Sequence, residues 1–120
     1  MGDVEKLEVW KISHTIAVEV YKLTLKGTLS KDFSLRDQIR RAAISMPSNI
    51  AEGEESGFNK LGIRYFYNAK ASLAELKAQL LIARDISYIS EMEYNEKADS
   101  LDLLSRKLRR LIDYRKGLIK

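Results

Sequence analysis

Toward the end of the chain, Leu101, Leu104, Leu108, Leu111 and Ile112 fall on one stripe when residues are placed about 100° apart. The basic residues of that segment fall mostly on the other side, and Leu103 lies among the charges. This pattern predicts a helix with one buried and one wet face. Ser90 followed by Glu93 supplies a capping box for its start, and it continues to about Lys116. A second helix opens near Ser34 and runs to about Glu54, with Leu35, Ile39, Ala42, Ala43, Met46 and Ile50 on one face. The turn "EESGF" follows, with Gly53 and Gly57 as candidate helix ends. Sustained alternation of period two is absent, so strands are not expected.

The first helix, about Val4 to Lys26, and the third, about Asn59 to Ile86, are patterned differently. The first carries a stripe of Leu7, Trp10, Val18, Tyr21 and Leu25 and a roughly opposite one of Val9, Ile12, Ile16, Val20 and Leu23. On the third, Tyr65, Phe66, Ala69, Leu73, Leu76 and Leu80 form the main stripe, and Ile63, Tyr67, Ala71, Ala74 and Ala78 cover much of the rest. A helix apolar almost all round is buried on both sides. A four-helix monomer cannot do that for two helices, so the pattern predicts a homo-oligomer. Val9, Ile12, Ile16, Ile63, Tyr67, Ala71, Ala74 and Ala78 are its expected contact residues.

Short connections between long helices imply antiparallel neighbours. The expected fold is therefore all-α, an up-down-up-down four-helix bundle in one domain spanning residues 1–120. Pro47, the single proline, sits inside the second helix, where it removes a hydrogen bond and is expected to kink the helix. The acids Glu52, Glu54 and Glu55 find no converging second cluster for glycosidase or metal chemistry. "AEGEESG" lacks the spacing of a phosphate loop.

Composition narrows the chemistry further. The chain has no cysteine and one histidine, which removes thiol chemistry and leaves His14 without a metal-binding partner. No enzyme activity, cofactor, metal or small-molecule substrate is expected. The chain has no apolar run long enough to span a membrane and no signal-peptide start, so a cytoplasmic protein without a membrane partner is expected. The net charge of +4 is mild, but residues 101–120 concentrate Arg106, Lys107, Arg109, Arg110, Arg115, Lys116 and Lys120 against only Asp102 and Asp113.

The segment "LRDQIRRAAISMPSNIAEG" resembles the signature of the small bundle proteins encoded within intervening sequences of bacterial 23S ribosomal RNA genes. "LEVWKISHTIAVEVYKLT" and "YFYNAKASLAELKAQLLIARDISYIS" are similar to that family's first helix and to its third helix with the following turn. The resemblance implies an antiparallel four-helix bundle without established catalytic activity, some members being pentameric rings with a basic surface or channel. A related branch, the accessory proteins of diversity-generating retroelements, is implicated in binding RNA and a reverse transcriptase. Arg40, Arg41, Pro47, Asn49, Glu52 and Gly53 match the motif, while Glu54 and Glu55 depart from the aromatic or basic residue that many members carry there.

The candidate nucleic-acid contacts are Arg36, Arg40, Lys60, Arg64, Arg106, Arg109 and Arg110, because arginine pairs with phosphate in a fixed fork. RNA is the expected polyanion. The competing expectation is a protein-interaction scaffold with an incidental positive charge. Asn49 and Glu52 are expected to make structural hydrogen bonds.

Overall fold

The computed structural model describes residues 7–119. Four helices, α1 (Glu8–Leu23), α2 (Phe33–Glu55), α3 (Lys60–Asp85) and α4 (Glu91–Leu118), form a bundle 50 Å long and about 20 Å across. Each packs against two others: α1 with α2 and α4, and α3 with α2 and α4. Among the described residues there is no strand. Residues 4–6, expected in the first helix, lie outside the described residues.

Local chemistry sets the helix starts. Ser90 Oγ accepts the Glu93 N–H at 3.0 Å, while the Ser90 N–H donates to Glu93 Oε1 at 2.8 Å, completing the capping box at α4. Asn59 Oδ1 accepts the Gly62 N–H and starts α3. At α2 the cap is Asp32 rather than Ser34. Its Oδ1 accepts the Leu35 N–H at 3.2 Å and its Oδ2 accepts the Tyr88 hydroxyl at 2.9 Å. The carboxylate gives each donor its own oxygen, one capping the helix and the other reaching the α3–α4 connection. The preceding connection is also more than a turn. A short 3-10 segment, Thr28–Lys31, buries Leu29 completely.

Pro47 lies inside α2, which is one helix from Phe33 to Glu55. Just beyond it, Asn49 Nδ2 donates to the Ser45 carbonyl and to the Ser45 hydroxyl, both at 2.9 Å, and Ser45 Oγ meets Ser72 Oγ of α3 at 2.8 Å. The helix ends at Glu55, one residue past the expected end, and of the two candidate glycines Gly53 lies inside it. Gly53 is helical and buried, and a Cβ there would stand 2.7 Å from the Phe66 ring. Gly57, the other candidate, makes the turn with a φ of 84°.

Side-chain pairs mark the seams. Glu8 pairs with Lys107 at 2.8 Å and Glu19 with Lys97 at 3.0 Å, so positions rise along α1 as they fall along α4. Lys77 and Asp102, 2.7 Å apart, and Lys116 and Tyr67, 2.6 Å apart, do the same across α3 and α4.

The core takes the predicted faces of α2, α3 and α4, with Met46, Phe66, Leu76, Leu104 and Leu108 fully enclosed. On α1 the two stripes trade the roles expected of them. Val9, Ile16, Val20 and Leu23 point inward, and Val18, Tyr21 and Leu25 are exposed. Val9 and Ile16, expected at a subunit contact, are therefore core residues, and so is Ile63 on α3; Ile12 is half-buried against the core. The inward stripe also carries Ser13 and Ala17, small enough for close approach, with Ser13 Oγ bonded to the Trp10 carbonyl. The outward one carries His14 and Tyr21, whose polar tips tolerate water, while its Trp10 is half-buried against the core. Trp10 and His14 stack there at 4.9 Å.

Candidate nucleic-acid interface

Four basic side chains converge where α4 lies against α3. Lys70 of α3 and Arg106, Arg109 and Arg110 of α4 line a shallow groove of about 370 Å³ together with Ser105. Lys70 Nζ reaches Ser105 Oγ at 3.5 Å. Arg109 has an acid at Asp113, 3.8 Å away, a loose surface pair that contributes little. Among the described residues no carboxylate lies within ion-pairing distance of Lys70, Arg106 or Arg110. The groove is thus a cluster of cations with few ion pairs among the described residues, open to solvent between two helices. Lys70 was not legible as a member, because only the α3–α4 contact turns it toward the arginines.

The other anticipated cations are placed differently. Arg40 turns back onto α1, with Nε donating to Thr24 Oγ1 at 2.7 Å and the guanidinium 4.5 Å from the Tyr21 ring. Arg36 pairs with Asp37 at 3.0 Å, donates to the Ser30 carbonyl and lies over Phe33. Both sit at the α1–α2 connection, away from the α4 arginines, and each is held in part by its own chain. Lys60 and Arg64 are exposed on the first turns of α3, toward the end of the bundle where Lys116 meets Tyr67. Arg41 is exposed on α2.

Arg115 departs furthest from its expected place among the basic surface residues. It is 5% exposed. Its Nη2 lies 3.2 Å from both carboxylate oxygens of Glu54, and its guanidinium stacks 4.0 Å from the Phe58 ring. Glu54, whose charge looked like an obstacle to a basic corner, is the counter-ion of this buried cation. Glu52 is exposed beside Tyr65 of α3, and its carboxylate, as an acceptor and a negative charge, pushes that phenol's pKa above its ordinary value. Asn49 bonds within its own helix as described.

Of the expected contact residues, Tyr67, Ala71, Ala74 and Ala78 are exposed along α3, continuing into Leu81 and Ile82. No group of three or more acidic or histidine side chains forms a metal site among the described residues. No helix among them is long and apolar enough to cross a membrane.

A model of the 23S rRNA-intervening sequence protein family matches residues 5–110. A protein of unknown function from the S23 ribosomal protein family, from Bacteroides thetaiotaomicron, has a crystal structure similar to this fold, with a TM-score of 0.79 at 23% identity. The match covers 87% of this chain and 97% of that one. No curated protein matches.

Proposed function

The chain belongs to the 23S rRNA-intervening sequence protein family, and from that premise we propose that it is a non-enzymatic homo-oligomeric bundle that binds RNA through basic surfaces. The observation that carries this reading is the groove of Lys70, Arg106, Arg109 and Arg110, four cations of which only Arg109 has an ion pair among the described residues. Phosphates of a polynucleotide are the natural counter-charge for such a set. Copies assembled side by side would multiply the field and raise both affinity and salt sensitivity.

Assembly is supported by two outward apolar stripes. One is Val18, Tyr21 and Leu25 on α1, and the other is Tyr67, Ala71, Ala74, Ala78, Leu81 and Ile82 on α3. Contiguous apolar surface on this scale marks interaction sites. A closed ring, five-membered by the family resemblance, would bury both stripes in a head-to-tail contact.

Sedimentation with light scattering, run alone and with structured RNA at low and moderate salt, tests the reading. A discrete oligomer that takes up RNA and releases it as salt rises is the expected result. A discrete oligomer indifferent to RNA would leave a protein-interaction scaffold, and a monomer would remove the assembly.

A further inference from the structure

Five of the six tyrosines are engaged by their own chain. Tyr21 lies under Arg40, Tyr94 under Arg84, Tyr67 against Lys116, Tyr65 on Glu52 and Tyr88 on Asp32. Tyr114 is the exception. It is 64% exposed, and among the described residues its ring and hydroxyl meet no partner. It is also placed next to the groove. Arg106, Arg110 and Tyr114 recur at every fourth position of α4, so they share one face in steps of about 6 Å.

A duplex presents phosphates but keeps its base faces stacked inside, so it would use the arginines and leave Tyr114 idle. A single strand offers both phosphates and free base faces, and aromatic side chains beside a cationic track suit it. We infer that the outer face of α4 takes single-stranded RNA, with backbone phosphates along Arg106, Arg110 and the Lys70 groove and a base stacked on Tyr114. This rests on the RNA-binding reading and assigns it a strand type and a stacking residue.

The test is fluorescence anisotropy of a labelled oligouridylate of roughly twelve nucleotides and of a blunt RNA duplex of equal length. Tyr114→Ala is expected to weaken oligouridylate binding about tenfold while leaving duplex binding within about twofold, and Tyr114→Phe should retain wild-type affinity. Light scattering and circular dichroism confirm that each variant keeps its mass and helix content. Arg106→Gln with Arg110→Gln should weaken both RNAs. Oligouridylate binding that depends on the arginines and ignores Tyr114→Ala would overturn the stacking inference and leave RNA binding standing. Tighter binding of the duplex would overturn the choice of strand. A wild-type protein that binds neither RNA would remove the parent reading together with this one.

Discussion

Arg115 Nη2 sits 3.2 Å from both oxygens of Glu54, joining the last turns of α4 to the end of α2 across the mouth of the α2–α3 turn. The pair is almost closed to water, with side-chain exposures of 6% and 11%. Phe58 and Phe66 cover the guanidinium, and Nη1 has no hydrogen-bond partner among the described residues. Removing one member strands the other charge in a dry site, at a cost of roughly 3–5 kcal/mol. Arg115→Ala and Glu54→Ala should each lower the urea midpoint strongly. The double variant Arg115→Met with Glu54→Met should recover most of the loss, because no charge is left unpaired. Additive losses in that double variant would show that the two residues act separately.

The α2–α3 contact depends on two glycines in unequal ways. A Cβ on Gly62 would lie 2.5 Å from the Gly57 carbonyl oxygen and 2.9 Å from that of Gly53, both backbone atoms that cannot swing aside. A Cβ on Gly53 would meet the edge of the Phe66 ring at 2.7 Å, a side chain rather than backbone, and the Gly62 carbonyl oxygen only at 3.0 Å. Gly62→Ala is expected to destabilise by about 3 kcal/mol and Gly53→Ala by less. Chemical denaturation of both variants gives the order, and the reverse order would contradict the packing described.

Salt dependence measures the phosphate contacts directly. Replacing Arg106, Arg109 and Arg110 together by glutamine should weaken RNA binding and flatten the plot of log affinity against log salt. The loss is about 0.7 of slope per phosphate contact for a single strand. Arg36→Gln with Lys31→Gln, at the other end of the bundle, should leave the slope nearly unchanged. Equal flattening by both sets would mean that binding is spread over the whole surface.

Assembly should yield to a single charge on an outward stripe. Val18→Glu on α1 and Ala74→Glu on α3 both alter exposed positions, so neither disturbs the core. The expected outcome is a smaller mass by light scattering with helix content retained. An unchanged mass for both would place any subunit contact elsewhere.

Alkaline pH should loosen the end of the bundle where Tyr88 meets Asp32. The hydroxyl donates to the carboxylate, which holds the Tyr88 pKa above the ordinary tyrosine value. The bond to Asp102 likewise holds the Lys77 pKa above the ordinary lysine value. A folded pKa raised above the unfolded one means the folded state binds the proton more tightly. The stabilisation is therefore complete below the unfolded value, about 10 for tyrosine, and is lost as pH rises through the folded value. The difference in Tm between the wild type and Tyr88→Phe should be constant near neutrality and shrink in strongly alkaline buffer. A difference that grows with pH would contradict the sign.

Acid acts on the α1–α4 seam in the opposite sense. Glu8 accepts a hydrogen bond from Lys107, and that contact, with the lysine's charge, lowers its pKa below the ordinary glutamate value. Its contribution is present above the unfolded value and fades as pH falls through the lowered folded one.

The sequence by itself determined the class of fold and most of its faces. Helical periodicity is written into side chains three and four residues apart, so the α4 stripe from Leu101 to Ile112 and the α2 stripe from Ile39 to Ile50 were legible without any long-range information. The capping box at Ser90 is equally local. Two apolar stripes on α1 could not be ranked in this way. Which one is core depends on what stands opposite, and only packing against α2 and α4 turned Val9 and Ile16 inward and Tyr21 outward.

The cationic site shows the same division. A basic α4 face was visible as a run of arginines, because their spacing lies within one helix. Lys70 joined them, and Arg36 and Arg40 separated from them, through contacts between residues far apart in the chain. Arg115 and Glu54, 61 positions apart, read as two surface charges until the bundle closed around them. Local periodicity records which side chains share a helix face. The partner of each face, and with it the burial and the charge balance, is a property of the assembled tertiary structure alone.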